Sequence, residues 1–235
     1  MKNPVLDRRS GEPRDLDESV NFRSVTALWL VPFQRWDDCG QILSAEEHAW
    51  ASELRGPRAN QYRCSRHWLR QCLGDLFNLS PEIIPLQAPP GQRPALAKGL
   101  GYVSISHTND ALLLAWSGAP IGVDLERSDR RFAALALARR FFDFRDVDGL
   151  DGLSEEDCRR EVLRQWLVKE AAIKWQGGLL ARDLGGWSWP GDAPRAVHRT
   201  LDLSVRVSLG TCQSWWIAVA GGAAPAGQHP LICLI

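Results

Sequence analysis

The sequence has no Cys-x-x-Cys pair among its six cysteines and no histidines at zinc spacing from them, so neither a disulfide framework nor a structural zinc site is expected. It has no run of 18 apolar residues and no apolar segment in residues 1–23, which predicts a soluble, cytoplasmic protein with no membrane partner. Neither charge is in excess: Lys plus Arg is 28 and Asp plus Glu is 28, which argues against a nucleic-acid coat and makes any anion site local. Lysine is scarce. Lys2, Lys98, Lys169 and Lys174 are the only lysines among the 28 basic residues, and two of the four lie five residues apart. What is plentiful is apolar material, 45% of 235 residues, enough for one large domain or two small ones and too much for a disordered chain.

Residues 1–23 are polar, mixed in charge and interrupted by Pro4, Gly11 and Pro13, the composition of a flexible tail. Val25–Phe33 reads as a buried strand, and Ser44 with Glu47 three residues on reads as a capping box opening a helix. Between Asn60 and Leu79, Leu69, Leu73, Leu76 and Phe77 lay an apolar stripe on a second helix, leaving Arg63, Arg66 and Arg70 as a basic face. Pro81–Gly101 reads as an irregular connector, followed by strands at Tyr102–His107, Ala111–Trp116 and Ile121–Glu126 with the spacing of an antiparallel meander. Helices are predicted over Phe132–Phe142 and Ser154–Trp175, and strands over Thr200–Leu209 and Ser214–Ala220. Strand, helices, strands thus occurs twice. The expected fold is α+β: two similar α/β halves, residues 24–118 and 119–235, related by a pseudo-twofold with a ligand cleft between them.

Strand alternation in Ile121–Glu126 puts Asp124 and Glu126 on one face, with Cα atoms roughly 6.6 Å apart and a repulsion of about 2 to 3 kcal/mol at an effective dielectric near 20. A cation must offset it, or the pair sits on a solvated edge; an oxygen-only set favours Mg²⁺ or Mn²⁺. On the long second-half helix, Trp166, Lys169, Glu170 and Lys174 cluster on or beside one face, either as a surface ion pair or as compact ammonium groups kept where arginine would not serve. Ser106 and His107 end a strand, where side chains face a cleft. Five arginines between Leu54 and Gly74, among them Arg58, together with Arg93 before Pro94, make a basic patch suited to a polyphosphate, unless it is a solvated face.

Taken together, Ser106-His107, Ile121-Gly-Val-Asp124-Leu-Glu126 and Trp166-x-x-Lys169-Glu170-Ala171-x-x-Lys174 at these spacings resemble the signature of the 4'-phosphopantetheinyl transferases of the surfactin-synthetase-activating type. The resemblance implies a metal set of Asp124, Glu126 and Glu170 for Mg²⁺, and contacts to coenzyme A from Arg58, Arg93, Ser106, His107, Lys169 and Lys174. It implies catalytic roles for Glu170, Lys174 and His107, Glu170 as base with metal-bound water as the competitor. The implied reaction moves phosphopantetheine from coenzyme A to a serine of an apo acyl or peptidyl carrier protein, by a monomer. A Mg²⁺-dependent pyrophosphatase and a non-catalytic coenzyme A or carrier-binding protein are the alternatives. Six arginines in residues 127–145, against Asp129 and Asp143, suggest a docking surface for an acidic carrier.

Overall fold

The computed structural model describes residues 26–32, 39–221 and 233–235; the tail expected over residues 1–23 lies outside them. The protein is α+β, with two sheets and a 22-residue helix against each. In the first sheet β1 (Thr26–Pro32) pairs antiparallel with β5 (Ala111–Ser117), which pairs antiparallel with β4 (Tyr102–His107). A last strand, β11 (Cys233–Leu234), adds parallel to β1, so the first sheet takes an edge strand from the C-terminus. The second sheet runs β6 (Ile121–Arg127), β10 (Trp215–Gly221), β9 (Ser204–Cys212), β8 (Arg195–His198) and β7 (Trp187–Ser188), all antiparallel.

The helices are α1 (Ala45–Glu53) and α2 (Gly56–Phe77) in the first half, and α3 (Ala134–Phe141), α4 (Phe144–Val147), α5 (Glu155–Gln176) and α6 (Leu180–Asp183) in the second. Ser44 and Glu47 form the predicted capping box on α1. Ser154 caps α5, and Gly177, at φ +75°, ends it with its N–H on the Ile173 and Lys174 carbonyls, a conformation glycine adopts without strain. The helix expected over Phe132–Phe142 is α3, and Asp143 caps α4, a further short helix beyond it.

Three apolar clusters hold these layers. One joins Leu69, Leu73 and Phe77 of α2 to Val103, Leu112 and Leu114 of the first sheet. A second joins Val162, Leu163 and Ala171 of α5 to Val205, Ala218 and Ala220 of the second. The third is built from strands: Leu28, Leu30 and Leu113 of one sheet meet Val123, Leu125 and Ile217 of the other. The order is helix, sheet, sheet, helix. It explains why β5 and β10 read as continuous apolar runs, since both their faces are covered.

The structure corrects three expectations. The meander breaks after β5: β6 pairs with β10 and turns only its free edge to β4, where the Ser104 and Ser106 hydroxyls accept the Val123 and Leu125 N–H groups at 3.1 and 3.2 Å. The connector contains two short strands, β2 (Leu86–Gln87) and β3 (Ala95–Leu96), paired with each other. Arg66 and Arg70 are not on a solvated face. Both are buried; Arg70 bonds Glu47 at 2.5 Å and the Pro81 and Ile84 carbonyls, and so joins α1 and α2 to the connector. Among the described residues no helix is long and apolar enough to cross a membrane.

The tightest packing in the second half is between α5 and β6. A Cβ on Gly122 would stand 2.0 Å from the Ala171 carbonyl oxygen and 2.4 Å from the Trp175 nitrogen, both backbone atoms that cannot swing aside. Gly122→Ala is therefore expected to destabilise the protein by about 3 kcal/mol, at the upper end of ordinary overpacking, measured by urea unfolding; an unchanged midpoint would show that α5 can back away.

Candidate active site at the junction of the two sheets

Because Gly122 admits α5, the helix face bearing Glu170 and Lys174 lies against the face of β6 that bears Asp124 and Glu126. The Lys174 ammonium is 2.7 Å from Asp124 Oδ1, 3.1 Å from the Ser106 hydroxyl and 3.5 Å from Glu170 Oε2. Ser106 also donates to Asp124 Oδ1 at 2.7 Å. Asp124 is buried, and its second oxygen, Oδ2, is buried without a hydrogen-bond partner. Glu126 is held by Arg130, four residues along the chain.

Asp124, Glu126 and Glu170 lie close enough to act on one another's charge, and the electrostatics follow. Burial pushes the Glu170 carboxyl up to about 8, with Asp124 adding repulsion and Lys174 opposing it. Burial also pushes Glu126 up to about 7, against the attraction of Arg130. Lys174 moves the other way from an ordinary buried lysine: the charges of Asp124 and Glu170 outweigh its desolvation and raise its pKa. The offset expected for Asp124 and Glu126 is thus supplied by two cations, Lys174 and Arg130.

In front of Lys174 opens a cavity of about 660 Å³, walled by α2, the connector, β4 and the turn after α5. Arg58, Arg66, Arg93, His107 and Lys174 line it, and no Asp or Glu does. Arg66 is a buried cation with no carboxylate partner among the described residues: it bonds the Ala88 carbonyl at 3.1 Å and lies over the Tyr62 ring, and burial lowers its pKa. Burial likewise lowers Arg93, whose Nη2 donates to the Ile121 carbonyl at 3.3 Å. The His107 pKa is lowered by partial enclosure first and by the Lys174 charge second. Such a cavity attracts a polyanion of nucleotide size.

The structure therefore brings together Asp124, Glu126, Glu170, Lys174 and Ser106, with Arg58, Arg93 and His107 in the adjoining cavity. Lys169 is elsewhere, and its expected phosphate contact is corrected. One residue along a helix turns a side chain by about 100°, and Lys169 points to α4, fully buried, 2.7 Å from Asp146 and 4.0 Å from the centre of the Phe142 ring. Among the described residues no three His, Cys, Asp or Glu side chains converge as a ready metal site. The basic surface expected over residues 127–145 is also mostly neutralised: Arg127, Arg130, Arg131, Arg139 and Arg145 each pair with a carboxylate, and among the described residues Arg140 has no such pair.

Sequence reasoning missed Gln61, whose amide lies 2.8 Å from His107 Nδ1, and underrated Arg66. Arg66 carried a signal, its place in an acid-free arginine run; Gln61, a neutral residue in a helix, carried none.

An acid-free cationic cavity beside a carboxylate cluster has the chemistry to hold a phosphorylated molecule. Residues 120–220 match the family model described as 4'-phosphopantetheinyl transferase superfamily. The chain is similar to 4'-phosphopantetheinyl transferase HetI of Nostoc sp., 28% identical over 166 residues that cover 66% of this chain and 70% of that protein. A Synechocystis protein, slr0495, is 25% identical over 210 residues, 82% of this chain and 85% of its own. 4'-Phosphopantetheinyl transferase Sfp of Bacillus subtilis is 28% identical over 87 residues, 37% of this chain and 38% of its own. Residues 120–220 are thus similar to the 4'-phosphopantetheinyl transferase superfamily, and the named relatives support an enzyme of that type.

A carboxyl whose pKa is raised in the folded state holds a proton that the unfolded chain has released above its ordinary value of 4.5. In chelator, the contribution of Glu126 and Glu170 to stability is therefore expected to be full below about pH 4.5 and to fall progressively as pH rises to about 8. Urea unfolding from pH 5 to 8.5 measures this, and Glu170→Gln should flatten the decline.

Proposed function

We propose that the protein transfers the 4'-phosphopantetheine group of coenzyme A to a serine of an apo acyl or peptidyl carrier protein, releasing adenosine 3',5'-bisphosphate, as a transferase of the surfactin-synthetase-activating type. The observation that carries this reading is the continuity of the acid-free cavity with the carboxylate cluster through one side chain, Lys174. A nucleotide and diphosphate placed in the cavity lie against Arg58, Arg66 and Arg93 at one part and His107 and Lys174 at another. The diphosphate is then next to the group of residues able to move a proton.

The cluster fits a divalent cation. Its donors are carboxylate oxygens only, and Asp124 Oδ2, buried without a partner, is a donor site left open inside the protein. Asp124, Glu126 and Glu170 would hold Mg²⁺ or Mn²⁺, which when bound supplies charge neutralisation to phosphate oxygens. In the transfer itself, the serine oxygen bonds to the β-phosphorus, the bond from that phosphorus to the bridging oxygen breaks, and the electron pair leaves with the bisphosphate. Lys174 and His107 place cationic and N–H donors beside the phosphates, and Glu170 is the group that would take the serine proton. With both sheets and the cavity between them in one chain, the protein would work as a monomer.

The test is the intact mass of an apo carrier protein after incubation with this protein, coenzyme A and Mg²⁺. A gain of one phosphopantetheine, lost with EDTA and in Asp124→Asn, is the expected result. Release of adenosine bisphosphate with no carrier present would instead make the protein a pyrophosphatase. In the same assay, Glu170→Gln should abolish turnover while coenzyme A binding falls far less; equal losses would reduce Glu170 to a ligand.

A further inference from the structure

Gln61 and His107 are 46 residues apart in sequence, one on α2 and one at the end of β4, and both line the cavity. Gln61 Nε2 lies 2.8 Å from His107 Nδ1. An amide nitrogen only donates, so Nδ1 accepts, and a neutral ring that accepts at Nδ1 carries its proton on Nε2. His107 is exposed at the cavity mouth, and its pKa is lowered by partial enclosure there and by the charges of Lys174 on α5 and Arg66 on α2, with Asp124 on β6 opposing them.

The location of Gln61 is not incidental. Arg58, Gln61, Tyr62 and Ser65 recur at three- and four-residue spacing on the cavity face of α2, and Gln61 is the one neutral amide in that row. A carboxylate there would accept rather than donate, moving the ring proton to Nδ1 and favouring the imidazolium; a guanidinium would add charge to a cavity already rich in it. A neutral donor sets the tautomer and leaves the charge alone.

We propose that Gln61 is a positioning residue that fixes His107 as the Nε2–H tautomer, so that the ring meets a phosphate of the substrate as an oriented neutral donor. The kinetic part of this inference rests on the transferase reading above; the tautomer does not. Long-range proton–nitrogen spectra of protein labelled with ¹⁵N-histidine read the tautomer directly, with His107→Ala identifying the signals. The expected result is bare Nδ1 and protonated Nε2 in the unaltered protein, a mixture in Gln61→Ala, and protonated Nδ1 in Gln61→Glu.

In the transferase assay Gln61→Ala should lower kcat/KM for coenzyme A by about tenfold, the usual effect of losing an orienting partner, without shifting the unfolding midpoint. The double variant with His107→Ala should be no slower than His107→Ala alone. Protonated Nδ1 in the unaltered protein, a tautomer indifferent to Gln61→Ala, or additive losses in the double variant would overturn the proposal. If no carrier is modified at all, the transferase reading fails and the nitrogen spectra still decide the role of Gln61.

Discussion

The close approach of α5 to β6 at Gly122 is the constraint on which the site depends. With backbone against backbone there, the side chains flanking the contact have nowhere to go but toward each other, and Asp124 meets Lys174 within 2.7 Å. The same approach sets the layer order. The second sheet turns Val123 and Leu125 inward to the first sheet because their neighbours, residues 122 and 124, are turned to the helix. One strand thereby serves as core on one face and as chemistry on the other.

Two serines finish the junction. The outer edge of β6 has no backbone-paired strand among the described residues, and its Val123 and Leu125 N–H groups would be buried without partners were it not for Ser104 and Ser106 of β4, which lies alongside. Ser106 does this while donating to Asp124, so a single hydroxyl links the sheet edge to the carboxylate cluster. A displacement of β4 is therefore felt at Asp124 through one hydrogen bond, and at Lys174 through another. The cavity wall and the charged cluster are parts of one hydrogen-bonded unit.

How much of this was legible follows from what each signal encodes. Capping boxes, apolar stripes and glycine stops are local, and α1, α2 and α5 are where those signals place them. The alternation that sends Asp124 and Glu126 to one face is local too. The pairing of β6 is not: three strands separated by short turns look like a meander, and nothing in the segment itself says that residues 215–221 compete for its edge. The arginines of α2 misled for a related reason. Charge suggests solvent until a buried Glu47 or an enclosed carbonyl is known to be in reach, and those partners lie 11 to 23 residues away from Arg70. The strands over 195–198 and 204–212 were blurred because His198 caps the turn between them with its ring, a use of histidine that leaves no pattern.

The scarcity of lysine was informative, though of something other than a phosphate contact. Lys169 and Lys174 each hold a carboxylate oxygen at 2.7 Å, as several surface arginines do at similar distances, but from niches less exposed than those of Arg127, Arg131, Arg139 and Arg145. Lys174 sits among Ser106, Asp124 and Glu170, and Lys169 between Asp146 and the face of Phe142. A planar guanidinium needs a wider, flatter slot to place its five donors, whereas a compact ammonium directs three donors from one atom and fits a near-spherical niche. A chain that uses arginine nearly everywhere and keeps lysine at these two positions is reporting the shape of the space around them. For Lys174 that space borders the cavity and the carboxylates, and chemistry follows; for Lys169 it is closed on all sides, and the same residue type serves to bind α4 to α5 behind the site.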